Sequence, residues 1–188
     1  MITYKDCDST GKSLIHQCAA CQEVEMGRIR TLMLIEQGTK ITIPLELESF
    51  TKLVEAGNII VIPNVRGSSD GGSAITSDGF GDKSERLLGY DYTLTINDPA
   101  YAANSEFYEA AEKKTWNVGY CTDTLFHYTD QEVSLKATEP VEEGTDSEVT
   151  WNVELKFRTK NKPVKTPKAP IATLLRCFEV SGDSGAGA

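Results

Sequence analysis

From 149 to 157 the chain alternates without a fault. Val149, Trp151, Val153, Leu155 and Phe157 are apolar, and Thr150, Asn152, Glu154 and Lys156 between them are polar. A period of two sends successive side chains to opposite faces, so this segment predicts a strand with one buried and one wet face. Tyr90, Tyr92, Leu94 and Ile96 alternate with Asp91, Thr93 and Thr95 in the same manner, and Val133, Leu135 and Ala137 form a shorter example. Three earlier runs, 31–35, 41–43 and 59–62, are rich in branched residues and bounded by Gly, Pro or Asn, which predicts further strands.

The period changes in two places. Ser49 stands where an N-cap belongs for a helix over 50–56, with Gly57 at its exit. A second helix begins at Asn104 or Ser105 and sets Phe107, Ala110, Ala111 and Lys114 at helical spacing. Asp98-Pro99 ahead of it reads as a cap and first-turn proline, or as the start of a separate turn. The predicted fold is mainly β (α+β): an antiparallel β-sandwich or barrel with one principal α-helix and a long hairpin loop. The 188 residues suit one domain over 1–180, and the Gly- and Ser-rich stretch 181–188 reads as a flexible tail.

The segment 63–85 breaks the pattern. It holds Gly67, Gly71, Gly72, Gly79 and Gly81 among Ser and Asp, with hardly an apolar residue. Loops beyond about 12–15 residues are uncommon in compact domains. It reads either as a surface insertion or as an arm that orders against a neighbouring copy.

Charge falls into blocks. Glu139, Glu142, Glu143, Asp146 and Glu148 have no base among them, whereas Lys156, Arg158, Lys160, Lys162, Lys165 and Lys168 have no acid among them. Pro163, Pro167 and Pro170 make 158–171 an extended basic arm. The blocks are either solvated loop ends or the two sides of a head-to-tail contact. On the second reading, the contact candidates between subunits are Arg66, Asp70, Asp82, Arg86, Glu142, Glu143, Lys160, Lys162 and Lys165.

A net charge of −9 disfavours tight binding to a phosphate backbone, though not the passage of nucleic acid along an acidic wall. No window approaches the ~20 apolar residues of a membrane helix. The N-terminus lacks the pattern of a signal peptide, so the expected setting is a cytoplasm or a particle assembled there. The odd set Cys7, Cys18, Cys21, Cys121 and Cys177 argues against a disulfide framework. Cys18 and Cys21 have the spacing of half a zinc knuckle, with Cys7 and His16 close by, but no second pair completes four ligands.

Catalytic patterns are not found. Thr10-Gly11-Lys12-Ser13 resembles the end of a phosphate-binding loop, but Asp6 occupies the position of its first glycine. The two histidines, His16 and His127, have no nucleophile motif around them, and His127 lies in a predicted strand where packing is its ordinary use. No carboxylate pair stands out as acid and base. The expectation is a non-enzyme without a cofactor.

Two stretches carry a resemblance. Leu87-Leu88-Gly89-Tyr90-Asp91-Tyr92-Thr93-Leu94-Thr95-Ile96-Asn97-Asp98-Pro99 leads into the helix around Phe107 and Trp116, and Glu148-Val149-Thr150-Trp151-Asn152-Val153-Glu154-Leu155-Lys156-Phe157 leads into the proline-containing arm. From about residue 28 onward, in order and texture, the chain resembles structural virion proteins of tailed bacteriophages. The likeness is to tail-tube or related tail and neck ring proteins of phages of Bacteroidota. It implies a virion subunit, assembled in the host cytoplasm, that forms six-membered rings with copies of itself. Other tail or neck proteins would be its partners, DNA would pass only transiently through the lumen, and no membrane would be involved. The loop 63–85 and the arm from 160 to 170 would reach to the next ring. Competing readings are a capsid decoration or head–tail connector subunit, and a small binding module in which Cys7, Cys18 and Cys21 hold zinc.

Overall fold

The computed structural model describes residues 3–5, 13–15, 25, 27–79, 81, 84–141 and 148–175. Strands β1 (Thr3–Lys5) and β2 (Ser13–Ile15) pair as a separate two-stranded antiparallel sheet. The remaining strands form one nine-stranded antiparallel sheet. They are β3 (Thr31–Glu36), β4 (Ile59–Ile62), β5 (Arg66–Ser69), β6 (Ser73–Ser77), β7 (Arg86–Asp98), β8 (Thr115–Cys121), β9 (Leu125–Thr138), β10 (Trp151–Thr159) and β11 (Val164–Pro167). Their order is β4-β3-β8-β9-β10-β7-β5, with β11 added to β9 and β6 to β7.

The sheet curls until its ends meet. β4 runs antiparallel to β3 from Ile59 opposite Ile35 to Ile62 opposite Leu32. After a bend at Asn64 (φ 60°), the same chain continues as β5 and joins β7, with Arg66 opposite Asn97. At the join, Ile29 and Gly67 exchange backbone hydrogen bonds of 3.0 and 3.1 Å, and Val65 donates to the Arg30 carbonyl at 3.2 Å. This seam closes β3, β8, β9, β10, β7 and β5 into a barrel, which removes most of the edges an open sheet exposes. Gly67 permits the closure, because a Cβ there would lie 2.4 Å from Ile96 Cδ1 and 3.0 Å from the Thr95 carbonyl oxygen.

Two cores follow from this shape. The barrel interior holds Leu32, Leu34, Val118, Val133, Leu155, Leu94 and Ile96, all buried. Outside the barrel wall, Met33, Ile35, Ile59 and Phe126 pack beneath Phe50 of helix α1 (Leu47–Glu55) and Ile171 of the 3₁₀ helix Ala169–Leu175. β3 is therefore covered on both faces and shows no alternation. The alternation of β7 and β10 is as the sequence predicts over Trp151, Val153, Leu155 and Phe157, which face inward, but β10 starts at Trp151, leaving Val149 outside it, and runs on to Thr159.

Several local expectations change. Helix α1 starts at Leu47, and Ser49 lies within it, donating to Glu46 Oε2 at 3.4 Å instead of capping. The stretch 41–43 forms no strand; Ile41 instead packs, partly buried, against the second core. Helix α2 (Ser105–Ala111) begins where expected, but Asp98 does not cap it. Asp98 is buried at the end of β7 and accepts from Ala100 N, Asn104 Nδ2 and the Tyr108 hydroxyl at 2.7–2.9 Å.

Two larger corrections concern the arms. Within 63–85, residues 66–69 and 73–77 are strands on the outer edge of β7, because a thirteen-residue strand offers backbone groups that even Ser and Gly can satisfy. Within 158–171, residues 164–167 pair with 125–128 of β9, so the basic segment is extended but returns to its own sheet. The segment 181–188 lies outside the described residues.

Candidate functional site

The β6–β7 hairpin extends past the barrel. β10 leaves β7 after the Thr159–Tyr90 pair, so Arg86 to Gly89 are paired only with Ile75 to Ser77 of β6. This length is a two-stranded ribbon. Leu87 and Leu88, 54% and 58% exposed, lie where the ribbon is bulged, between the Ile75–Gly89 and Thr76–Leu87 pairs. The base of the ribbon is fixed: Gly72 (φ +86°) lies against the Tyr92 ring, where a Cβ would come within 2.4 Å. Tyr92 in turn stacks on Phe157, with ring centroids 5.1 Å apart. Arg158 closes the same region from outside, donating to Asp91 at 2.8 and 3.1 Å. That contact lowers the Asp91 carboxyl pKa and raises that of Arg158.

A second feature is an opening in the barrel wall. β9 is bulged between its pairings with Trp116 and Val118 of β8. On its other edge, β10 takes Ser134 to Thr138 and β11 takes Leu125 to Tyr128. Between these lies a cavity of about 490 Å³, bounded by 128–131 on one side and 159–164 on the other. Lys160 and Lys162 stand at its rim, and Ile43, Tyr128 and Val164 supply apolar lining.

Those of the residues expected at subunit contacts that the structure describes are scattered over it. Arg66 opens β5 and lines a shallow cavity of about 220 Å³ with Arg28, Thr95 and Asn97. Asp70 is used locally, its Oδ1 accepting from Gly72 N at 3.0 Å. Arg86 sits on the ribbon opposite Ser77. Lys160 and Lys162 come together at the opening, and Lys165 lies across from His127. Asp82, Glu142 and Glu143 lie outside the described residues, as do Cys7, Cys18, Cys21 and His16. Among the described residues, no group of three His, Cys, Asp or Glu is placed to hold a metal ion.

Buried titratable groups serve packing. His127 stacks on Tyr120 at 4.6 Å between centroids, and its Nε2 has no hydrogen-bond partner among the described residues. Burial first, then the nearby Lys165 charge, depress its pKa to about 4. Burial pushes the Tyr120 hydroxyl and the Cys121 thiol up to about 12. Glu25 is held at about 2 by hydrogen bonds from the Thr122 and Thr124 hydroxyls and the Thr124 N–H. It ties the approach to β3 onto the β8–β9 turn. Sequence reading missed the Glu25 anchor, the Asp98 cluster and the wall opening, each of which depends on residues far apart in the chain.

Among the described residues, no helix is long and apolar enough to cross a membrane. No protein-family model, curated protein or solved structure matches this chain.

Proposed function

We propose that this chain is a structural virion subunit of the tail-tube type, assembling with copies of itself into stacked rings around a channel for DNA. The observation that carries the reading is the β6–β7 ribbon. Two-stranded ribbons are marginal in water on their own, and this one exposes two adjacent leucines at its bulge. Against a neighbouring subunit both leucines, now 54% and 58% exposed, become buried, each worth on the order of 1 kcal/mol.

Two further features support it. Among the described residues, nothing pairs with the outer edge of β4, and its sequence, Ile59 to Ile62, has no charge or proline to block another strand. The net charge of −9 suits a lumen that does not hold DNA. Six subunits per ring follows from the family resemblance alone.

Size-exclusion chromatography with light scattering, followed by electron microscopy of the same fractions, tests the reading. Rings or tubes with a central channel are expected. A single-copy species at every concentration, including with neighbouring tail proteins present, would overturn it.

A further inference from the structure

The wall opening has the chemistry of a docking slot. Residues 129–133 of β9 have no strand partner on the edge facing it. The chain opposite pairs with β7 as far as Thr159, then turns through 160–163. Neither Lys160 nor Lys162 makes an ion pair among the described residues. Lys162 Nζ rests 5.4 Å from the Tyr90 ring centroid, which sets its charge at the rim. Ile43 and Val164 are 40% and 48% exposed, so the slot offers apolar surface flanked by two positive charges. Asp130, the acid at the slot, has its Oδ1 engaged by Gln131 Nε2 at 2.8 Å.

The complementary surface is at the other end of the same hairpin. After β9, Glu139 lies beside Tyr101, whose hydroxyl pKa is raised chiefly by the Glu139 charge. Val141 is 72% exposed, and Glu148 is exposed just before β10. In sequence, Glu142, Glu143 and Asp146 fall between them, outside the described residues. A strand rises ~3.3 Å per residue, so the nine residues of β10 hold the two surfaces roughly 30 Å apart in one copy. Contact between them takes a second copy, placed head to tail.

We infer that the slot receives the acidic β9–β10 connection of a second copy, with Val141 against Ile43 and Val164 and the flanking carboxylates against Lys160 and Lys162. The contact rests on the self-assembly reading above and gives it a direction: the open operation repeats along an axis.

A synthetic peptide spanning residues 137–149, titrated calorimetrically into the full chain, tests the contact apart from assembly. Binding is expected that weakens with salt, and by about tenfold or more in the K160E/K162E variant. K160Q/K162Q serves in its place should circular dichroism show the reversed pair misfolded. A V141D peptide is expected to bind more weakly as well. Absence of binding, or equal binding by the lysine variants, would overturn the inference. Light scattering on the same samples separates the two readings. A chain that forms rings but ignores the peptide loses only this contact, and one that binds the peptide but never associates loses the assembly.

Discussion

The Tyr108 hydroxyl donates to the Asp98 carboxylate at 2.7 Å, joining helix α2 to the end of the longest inward-facing run of β7. Asn104 and the Ala100 N–H complete the donor set, and Trp151 packs on Tyr108 with centroids 5.0 Å apart. Burial and the Asp98 bond both raise the Tyr108 pKa, so the phenol keeps its proton.

Tyr108→Phe is expected to lower unfolding free energy by about 1.5–3 kcal/mol, the range for hydrogen bonds to charged groups. Tyr108→Ala, which also empties the space under Trp151, is expected to cost about 3–5 kcal/mol. Urea titration followed by tryptophan fluorescence measures both. No loss in Tyr108→Phe would mean that the hydrogen bond contributes nothing, and equal losses in the two variants that the ring adds nothing beyond it.

His127 gives the fold a pH dependence of definite sign. Its folded pKa of about 4 lies below the ordinary 6.5, so the unfolded chain takes up the proton first as pH falls. Its contribution is fully present above pH 6.5 and is lost between 6.5 and 4. His127→Phe keeps the stack on Tyr120 and removes the unpartnered nitrogen. It is expected to match or exceed the parent at neutral pH and to reduce the loss of stability across that window. Thermal melts at stepped pH measure this.

Gly67→Val is expected to block barrel closure. The new Cβ would need the space of Ile96 Cδ1, 2.4 Å away, in a well-filled interior. Overpacking costs about 1–3 kcal/mol where neighbours can shift. Here the Thr95 carbonyl, 3.0 Å away, is backbone and shifts less easily. Hydrogen exchange at the Ile29 and Gly67 amides is expected to rise more than at Leu94 or Val153.

Leu87→Asp with Leu88→Asp is expected to leave the barrel folded and to abolish assembly. Both side chains are more than half exposed, so the folded subunit loses little. Sedimentation velocity reads the size and circular dichroism the fold. Unchanged rings in this variant would remove the ribbon from the interface.

Legibility in the sequence followed solvent. β7 and β10 keep one wetter face, and their period of two is plain from Tyr90 to Ile96 and from Trp151 to Phe157. β3 is buried on both faces, so its run shows a strand but not which side faces the barrel interior. β5 and β6 were illegible for a different reason. Arg-Gly-Ser-Ser and Ser-Ala-Ile-Thr-Ser have low strand preference, and the free edge of β7 pairs them regardless. β11 ends in Pro167, which made it read as an arm, yet a proline at the end of a short strand leaves the other ladder bonds intact. Lys160 and Lys162 were legible as charges, but the opening between them and β9 depends on where two strands part.

The seam between Ile29 and Gly67 gives the barrel a clasp. A hoop of hydrogen-bonded strands has no free end from which to fray, except where its ladder is shortest, and here one bridge and the Val65–Arg30 hydrogen bond hold the join. Because β4 and β5 are one chain bent at Asn64, the clasp lies between two ladders of that same chain, one on β3 and one on β7. A neighbour that gripped β4 from outside would therefore tighten the whole ring of strands, making each subunit stiffer in the assembly than alone.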